Sequence, residues 1–381
     1  MAGSLEGIKV LDLSRFIAGP MCGMLLGDMG ADVVKVERAG KGEDARVIAP
    51  KVGGESLYVM MYNRNKRSLE LDYRSAEGQQ LLRDLASKAD ILIENFRPGT
   101  LEKMGCSYEE LAALNPRLIV IRISGFGQTG PHAQRPCFDV IAQAMSGLME
   151  ITGEAGGQPV PSGAFVVDQV TGLYATVGAL GALHARQSTG RGQVVDAALL
   201  DSAVTLLLTA IPEYALFGNQ ATRKGARDRY SAPANNYRCK DDRWVHFNAG
   251  NDALFPRLCK AAGLDHLLAD KRFNTHAARM ANADAIETIV AGWAAQHDSD
   301  VVVEILARAE VPCGKVATIA EVASNPQLRH RDQIVDIEYP SVGKVPMHGV
   351  TVKLSETANS IRRRAPRIGE HTAEVLADWL G

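Results

Sequence analysis

The first half of the chain alternates between short apolar runs and longer amphipathic runs, and this alternation constrains the fold more than any other feature. It predicts buried strands at residues 7–14, 32–37, 90–96 and 117–127, with helices at residues 19–31, 76–89 and 107–116. Strands and helices that alternate at this spacing form a parallel sheet with helices on its faces. Ligands of such sheets bind beyond the carboxyl ends of the strands. We therefore expect a binding site near residues 13–14, 37–38, 95–97 and 124–127.

The second half of the chain has a different pattern. Residues 170–185 indicate a helix rich in small residues, and residues 190–208 a polar turn, a short strand and a long apolar helix. From about residue 219 the pattern predicts a hairpin that turns at Asp241 and Asp242, followed by two or three helices. This region is typical of a second, smaller α+β domain of about 100 residues. The chain ends in a predicted amphipathic helix.

Composition excludes several classes of protein. The chain has 381 residues with 46% hydrophobic residues and a net charge of −2, so it offers no basic field for nucleic acid or a membrane surface. Its longest apolar run, near residues 203–211, is too short to cross a bilayer. Glu6 and Lys9 interrupt the place where a signal peptide has its apolar core. The six cysteines form no CxxC pair and no metal-ligand spacing with the nine histidines, which predicts reduced thiols in the cytoplasm and no metal.

Basic residues follow several predicted strands. These residues are Arg38, then Arg64, Lys66, Arg67 and Arg74 within "NRNKRSLELDYR", and then Arg97 and Lys103. One such cluster is typical of a solvated face, whereas three clusters at one edge of a sheet favour a polyphosphate ligand. The loop "GFGQTGP" at residues 125–131 is not a GxGxxG motif, which argues against a dinucleotide. The loop is either a plain turn or a set of backbone N–H groups beside a ligand.

Asp168 is the one acidic or basic residue in the apolar stretch "PSGAFVVDQVTGLYA" at residues 161–175. Aspartate is a preferred N-cap, and the spacing of Val170, Leu173, Tyr174 and Val177 fits a helix that begins just after it. A carboxylate at a helix start in an apolar setting is also suited to nucleophilic catalysis. The residues of this stretch alone leave both interpretations open.

Seven motifs in order along nearly the whole chain resemble the class III coenzyme A transferase (CaiB/BaiF) family, which includes formyl-CoA transferase and α-methylacyl-CoA racemase. The motifs are "LDLSRFIAGP", "GADVVKVE", "NRNKRSLELD", "ENFRPGTLEKMG", "SGFGQTGP", "GRGQVVDAAL" and "GEHT". The resemblance implies an α/β fold with a large Rossmann-like domain at residues 1–218, a small α+β domain at 219–325 and a return segment at 326–381 that packs on the large domain. It also implies an interlocked homodimer.

The resemblance further implies the site. Coenzyme A is expected as a substrate rather than as a permanently bound cofactor. By motif position, its expected contacts are Ala18, Arg38, Leu71, Arg74, Asn95, Phe96, Arg97 and Lys103. Gly163 and Asp168 match the family's "GxxxxD" turn, which makes Asp168 the expected nucleophile and also a helix cap. The partners are then an acyl-CoA and a small carboxylic acid, and no metal is expected.

Three questions about activity stay open at this point. The racemase branch has "GHD" after the glycine-rich loop and a glutamate in the small domain, whereas this chain has Phe138 in "RPCFDV" and, by a loose alignment, Asn251. Phe cannot transfer a proton, so a transferase is favoured over a racemase. A non-catalytic acyl-CoA-binding protein is the alternative of another class. Ile17 and Lys103 depart from the formyl-CoA enzyme, while "VPCGKV" favours succinyl-CoA or other dicarboxylic acids. Arg15 either pairs with a distal carboxylate or is an ordinary surface arginine.

Overall fold

The alternating first half of the chain forms a six-stranded parallel sheet in the computed structural model, which describes residues 3–381. The first eight strands are β1 (Lys9–Asp12), β2 (Asp32–Arg38), β3 (Lys51–Val52), β4 (Glu55–Ser56), β5 (Lys66–Leu71), β6 (Ile91–Glu94), β7 (Ile119–Ser124) and β8 (Val194–Ala198). The sheet has the strand order β5-β2-β1-β6-β7-β8, and β3 pairs with β4 in a separate hairpin. In the register, Val10 of β1 lies between Val33 of β2 and Ile91 of β6. The expected parallel sheet is therefore confirmed.

Helices cover both faces of this sheet because successive strand residues point to opposite sides. The helices of this part are α1 (Ala18–Asp28), α2 (Leu57–Tyr62), α3 (Ala76–Lys88), α4 (Thr100–Lys103), α5 (Tyr108–Leu114), α6 (Asp139–Ser146), α7 (Val166–Thr189), α8 (Leu199–Val204) and α9 (Ala210–Phe217). Val10, Ile91 and Ile121 face one core with α1, α7 and α8. Leu11 and Leu92 face the other core with α3 and α5. Short 3-10 turns occupy Asp44–Val47 and Thr205–Leu207.

Helix α7 lies unusually close to α1 because of its small residues. A Cβ atom added at Gly172 would lie 2.8 Å from the carbonyl oxygen of Ala18, so only glycine permits this approach. The contact places the first turn of α7 beside the start of α1. By length and composition α7 is apolar enough to cross a membrane, but its small residues pack against α1 and β7.

The single long apolar helix predicted after β8 is wrong. The segment forms α8, a 3-10 turn and α9 instead, with Leu208 at φ +52° between them. Pro212 explains the break, because proline has no N–H to donate and disrupts a helix interior but is tolerated in a first turn. It stands in the first turn of α9.

Residues 150–160 and 220–324 form a second compact unit with its own core. Strands β9 (Ala234–Arg238), β10 (Trp244–Asn248) and β11 (Cys313–Lys315) make an antiparallel sheet in the order β11-β10-β9. The predicted hairpin is present, with Asp242 at φ +61° in its turn. The helices are α10 (Phe255–Ala262), α11 (His276–Ala281), α12 (Ala283–Ala294), α13 (Ser299–Arg308) and α14 (Ile319–Ala323), with a 3-10 turn at Asp265–Leu268.

The last part of the chain returns to the unit that contains the parallel sheet, which comprises residues up to 149, 161–219 and 325–381. It contributes α15 (Pro326–His330), an antiparallel hairpin of β12 (Ile334–Tyr339) and β13 (Gly343–His348), and α16 (Thr372–Leu380). Val375 and Trp379 of α16 join the core that contains α3 and α5. Residues 150–160, which the sequence-based division assigned to the large domain, group instead with 220–324.

Candidate active site

Asp168 is the third residue of α7 and lies at the wall of a cavity near the carboxyl ends of the sheet strands. Burial, together with the negative charge of nearby Asp139, raises the pKa of Asp168 to about 7. Near neutral pH, Asp168 therefore exists as a mixture of the acid and a poorly hydrated carboxylate. Such a carboxylate is more basic and more reactive toward a carbonyl carbon than an ordinary aspartate.

Asp139 is the first residue of α6, and its side chain accepts hydrogen bonds from the first turn of α7. Its Oδ2 atom accepts the backbone N–H groups of Val167 and Asp168 at 2.8 and 2.9 Å. Its Oδ1 atom accepts the side-chain amide of Gln143 at 2.5 Å, and Gln143 in turn accepts the N–H of Ser162 at 3.0 Å. Asp139 and Gln143 are both buried. This network fixes the irregular segment before α7 and the first turn of the helix, from which the Asp168 side chain lines the cavity.

The expected capping role of Asp168 is therefore wrong. Helix α7 begins at Val166, its N-cap is Phe165, and the N-cap side chain makes no capping bond. The N–H groups that a cap would accept are taken by Asp139 instead. The helix terminus consequently does not stabilise the Asp168 carboxylate through those N–H groups, which agrees with its raised pKa.

Two cavities meet at Asp168. The first, which we call the polar chamber, has a volume of about 330 Å³, and its lining includes Arg15, Asn95, Arg97, Ser124 and Arg135. The second, the apolar chamber, has a volume of about 210 Å³, and its lining includes Ala45, Ile48, Tyr58, Val140 and Phe165. Both chambers share the side chains of Phe16, Ile17, Phe138 and Asp168. A molecule that spans the two chambers would place its central atoms against the carboxyl group.

Cys137 is a second potential nucleophile in the polar chamber. Burial, with the nearby Asp168 charge, raises the pKa of its thiol to about 11. The thiol is therefore protonated near neutral pH and unreactive, since the thiolate is the nucleophilic form. Asp168 is the stronger nucleophile of the two.

The residues expected to contact coenzyme A divide into two groups. Ala18, Asn95, Phe96 and Arg97 line the polar chamber with Asp168. Arg38 lies just outside it and pairs with Asp44, whose side chain lines that chamber. Leu71, Arg74 and Lys103 do not line the chamber: Leu71 is packed in the core at the end of β5, and the other two side chains are exposed on the surface.

The loop between β1 and α1 forms the floor of both chambers. Asn95 fastens it, because its side chain accepts the N–H of Arg15 at 2.8 Å and donates to the carbonyl oxygen of Arg15 at 2.7 Å. Phe16 adopts φ +66°, and its N–H donates to the buried carboxylate of Glu43 at 2.9 Å. A non-glycine residue in this backbone region is strained and persists only where its surroundings enforce it. The loop is therefore held in one shape.

Arg15 is not an ordinary surface arginine. It is about two-thirds buried, pairs with Asp44 at 2.7 Å, and lies 5.1 Å from the ring centre of Phe96. Arg38 pairs with the same Asp44. Two guanidinium groups thus share one carboxylate beside the polar chamber, which leaves a local excess of positive charge for an anionic ligand.

Most of the basic cluster at residues 63–74 is not a phosphate site, which corrects that prediction. Arg64, Lys66 and Arg67 are between 0% and 6% exposed. Each is neutralised inside the protein: Arg64 pairs with Asp28, Lys66 with Asp12, and Arg67 with Asp32. The cluster reads as basic only because its acidic partners lie in distant parts of the sequence. Arg74 is the member that faces solvent.

The positions that distinguish a racemase hold no acid or base in this chain. Phe138 packs edge-to-face on Phe16 with ring centres 5.6 Å apart. Asn251 lies in the second unit, and its side-chain oxygen accepts the N–H groups of Ala253 and Leu254 in the turn that precedes α10. Gly250 also lies in the second unit, and its N–H donates to the side-chain oxygen of Asn248.

Sequence reasoning missed Asp139, Gln143, Phe16 and Tyr58. A signal was present for the first two, since Asp139 and Gln143 are four residues apart and meet on one face of a helix. The conformation of Phe16 had no signal in its residue type, because phenylalanine is not typical of a positive φ. Tyr58 lies on α2, and only the tertiary structure brings it close to the start of α7, so no local sequence pattern could have identified it.

The fold is an α/β fold, and this cavity places an aspartyl carboxyl group beside arginine side chains at the carboxyl ends of the sheet strands. Comparison with known proteins specifies the class: the pattern of CoA-transferase family III matches residues 5–372. A succinyl-CoA–D-citramalate CoA-transferase of Chloroflexus aurantiacus is 39% identical over 99% of this chain and 94% of its own length. A succinyl-CoA:mesaconate CoA-transferase of Haloarcula hispanica is 39% identical over 98% of this chain and 96% of its own length.

A solved structure agrees with this assignment. A CaiB/BaiF family protein from Brucella suis superimposes with a TM-score of 0.88 at 36% identity, over 100% of both chains. The chain therefore belongs to CoA-transferase family III, and it is a CoA-transferase. The sequence-based expectation of the transferase branch is confirmed.

Proposed function

We propose that Asp168 is the nucleophile of this CoA-transferase and carries the coenzyme during turnover. The observation that supports this role most strongly is the position of one half-buried carboxyl group, with a pKa of about 7, where the polar and apolar chambers meet. Burial weakens the hydration of the carboxylate, and solvation is the main obstacle to its attack on a thioester. At pH 7 a large share of the group is nevertheless ionised.

The proposed reaction has four exchanges. The Asp168 carboxylate attacks the carbonyl carbon of the acyl-CoA, which forms a mixed anhydride and releases CoA thiolate. The thiolate attacks the aspartyl carbonyl carbon, so that the donor acid leaves as a carboxylate and an aspartyl-CoA thioester forms. The carboxylate of the acceptor acid then attacks this thioester and again releases the thiolate. Attack of the thiolate on the acceptor's acyl carbon restores the Asp168 carboxylate and yields the new acyl-CoA.

Each exchange passes through a tetrahedral oxyanion. We propose that backbone N–H groups of residues 125–127 stabilise it, and Gly125 lines the polar chamber together with Asp168. The carbon–oxygen and carbon–sulfur bonds broken in one half of the cycle are remade in the other. The reaction cycle therefore needs no external energy source.

We propose succinyl-CoA as the donor and a small dicarboxylic acid as the acceptor. The names of the relatives from Chloroflexus aurantiacus and Haloarcula hispanica, which are similar over nearly their whole length, support this choice. Coenzyme A would enter through the polar chamber, where Arg15 and Arg97 supply positive charge, with Ala18, Asn95 and Phe96 as further contacts. Arg38, Arg74 and Lys103 would hold the distant parts of the coenzyme, whereas the side chain of Leu71 is packed in the core.

The working assembly that we propose is an interlocked homodimer in the cytoplasm. Exposed apolar side chains on two helices support a partner chain: Tyr174 and Val177 on α7, and Ile211, Tyr214 and Phe217 on α9. Helix α9 has no buried residue within a single chain, although its residues are strongly apolar. Contiguous exposed apolar surface of this kind marks a protein interface.

Replacing Asp168 with alanine tests the proposed nucleophile. We expect the Asp168→Ala variant to lose transfer from succinyl-CoA by at least about a thousandfold, because the covalent route is removed. Binding of free coenzyme A, measured by calorimetry, is expected to stay measurable. Asp84→Ala, which changes an exposed aspartate on α3, is the matched control and should keep full activity. Full activity of the Asp168→Ala protein would end the proposal.

A further inference from the structure

The second carboxylate of a short dicarboxylic acid must lie close to Asp168, because only a few carbon atoms separate it from the group that reacts. The apolar chamber is a poor place for this charge. Asp168 and Asp139 both line that chamber, and both oxygens of Asp139 already accept hydrogen bonds. Within residues 3–381, no lysine, arginine or histidine lines it. A second carboxylate is therefore better accommodated in the polar chamber, where cations are present.

Three arginines line the polar chamber, and they differ in how far the protein encloses them. Arg97 and Arg135 are exposed, whereas the Arg15 side chain is about two-thirds buried. Arg15 also belongs to the loop that forms the floor of both chambers, because the next two residues, Phe16 and Ile17, line both. Of the three arginines, Arg15 is therefore the most enclosed and the one on the surface that the two chambers share.

The Arg15 guanidinium is held in place and still has donors to spare. Its Nη1 atom donates to Asp44 at 2.7 Å, and the group lies 5.1 Å from the centre of the Phe96 ring. Its Nε atom is buried and has no hydrogen-bond partner among the residues that the structure describes. A guanidinium carries five N–H donors in a planar fork that matches a carboxylate. Because Asp44 is shared with Arg38, the two arginines together keep a net positive charge for a further anion.

The coenzyme itself does not bring an anion to Arg15. The charges of coenzyme A are on its phosphates, and the pantetheine arm that carries the thiol toward Asp168 is uncharged. The proposed contacts of the distant parts, Arg38, Arg74 and Lys103, do not line the polar chamber. The acid is therefore the ligand whose charge Arg15 can neutralise inside the chamber.

We propose that Arg15 binds the second carboxylate of the acid and so makes this enzyme specific for dicarboxylic over monocarboxylic acids. The inference rests on the proposed function, because it takes Asp168 as the point of attack. A carboxylate that meets the guanidinium gains charged hydrogen bonds, whereas an acid with a methyl group in its place leaves those donors without an acceptor. Arg15 is thus a specificity-determining residue for both the donor and the acceptor.

Two donors that differ in one charged group test this specificity. Succinyl-CoA and butyryl-CoA have acyl chains of the same length, and a methyl group in the second replaces the carboxylate of the first. Rapid-quench measurement of the released acid, with no acceptor present, gives the second-order rate constant for each donor. We expect the constant for succinyl-CoA to be at least about tenfold larger, a modest factor because Arg15 is partly exposed. Equal constants, or a larger one for butyryl-CoA, would overturn the inference.

The Arg15→Gln variant shows whether this side chain causes the preference. The loop is fastened to Asn95 through the backbone N–H and carbonyl groups of Arg15, and the variant keeps both. We expect the rate constant for succinyl-CoA to fall at least about tenfold and that for butyryl-CoA to change less than about threefold. Arg308→Gln, at an exposed position on α13 of the second unit, is the matched control and should keep both constants. An equal fall for both donors would refute the assignment.

The other two arginines of the polar chamber serve as comparisons. Arg97 is a proposed coenzyme contact, so Arg97→Gln should slow both donors to the same degree, because both carry the same coenzyme. Arg135→Gln should leave the preference for succinyl-CoA in place. If Arg135→Gln removes the preference and Arg15→Gln does not, the second carboxylate binds elsewhere and the inference is overturned.

Failure of this inference is distinguishable from failure of the proposed function. Incubation of the enzyme with succinyl-CoA alone, followed by peptide mass spectrometry, detects the CoA adduct on Asp168 without any acceptor. If the adduct forms and Arg15→Gln leaves the preference unchanged, the role of Arg15 is wrong and the nucleophile stands. If the adduct is absent, the proposed nucleophile is wrong and the inference that depends on it is overturned as well.

Discussion

At the scale of single residues, the site depends on two aspartates with different tasks. Asp139 is buried and hydrogen-bonded on both oxygens, and it occupies the N–H groups at the start of α7. Asp168 is thereby deprived of those N–H groups and placed beside a negative charge. Asp139 is thus a positioning residue that orients Asp168 and also raises its basicity.

The raised pKa of Asp168 predicts the pH dependence of transfer. In the proposed mechanism the reactive form is the carboxylate, which is lost as the pH falls through a pKa of about 7. The rate of adduct formation should therefore rise about tenfold between pH 6 and pH 8, whereas an unperturbed aspartate would give no change over this range. Rapid-quench measurement of succinate release from succinyl-CoA, with no acceptor acid present, gives the profile. A rate that is flat down to pH 5 would contradict the raised pKa.

The Asp139→Asn variant extends the same prediction. Asparagine keeps an oxygen that accepts the N–H groups of α7 but removes the negative charge, so the pKa of Asp168 should fall. Burial is the larger cause of the shift, and the pKa should therefore stay above its ordinary value of 3.8. We expect the acid limb of the profile to move to lower pH, with Asp84→Asn as an unshifted control. An unmoved limb would show that Asp139 has only a structural role.

At the scale of elements, β5 shows how charged side chains can be buried in the protein interior. The strand has the edge position in the parallel sheet, yet most of its polar side chains are buried. Lys66 donates to Asp12, to the carbonyl oxygen of Pro20 and to Asn63 at 2.8–2.9 Å. Arg67 reaches Asp32 and, on α16, Glu374 and Asp378. These contacts tie the start of α1 and the end of the chain to the sheet beneath the site.

The arginines of this segment predict a sharp contrast in stability. Arg64 is 2% exposed and donates to Asp28 at 2.7 and 3.1 Å and to the carbonyl oxygen of Gly349 at 3.2 Å. Arg64→Met leaves the buried Asp28 without its cation, which should lower the free energy of unfolding by about 3–5 kcal/mol. Arg74→Met, ten residues further on and exposed, should change it by less than about 0.5 kcal/mol. Urea unfolding followed by circular dichroism measures both variants, and equal losses would refute the assignment.

At the scale of the whole molecule, local sequence patterns predicted most strands of the parallel sheet. They did not predict which charged side chains are buried in the interior. Strands β1, β2, β6 and β7 were predictable because short apolar runs between amphipathic helices have a distinctive period. Strand β5 was not, since "NRNKRSLEL" reads as a solvated segment until Asp12, Asp28 and Asp32 are placed next to it. Interactions between residues far apart in sequence leave no local pattern.

The candidate site, too, was predictable from the sequence only in part. Asp168 and the strand-end residues Asn95 and Arg97 were predictable from motif positions, because motifs record the chemistry that a family shares. The N-cap assignment failed because the true start of α7 depends on Asp139 in another helix. The apolar chamber was also beyond prediction, since it combines the loop after β1, the turn at residues 45–48 and three helices.

Peptide mass spectrometry of the trapped enzyme tests the central claim most directly. Enzyme incubated with succinyl-CoA is quenched at low pH, digested and searched for CoA on the peptide that contains Asp168, or for a reduced side chain at that position after borohydride treatment. We predict that the modification lies on Asp168 and disappears in the Asp168→Ala protein. Modification of a different residue, or transfer to an acceptor acid at full rate with Asp168 unmodified throughout turnover, would contradict the account.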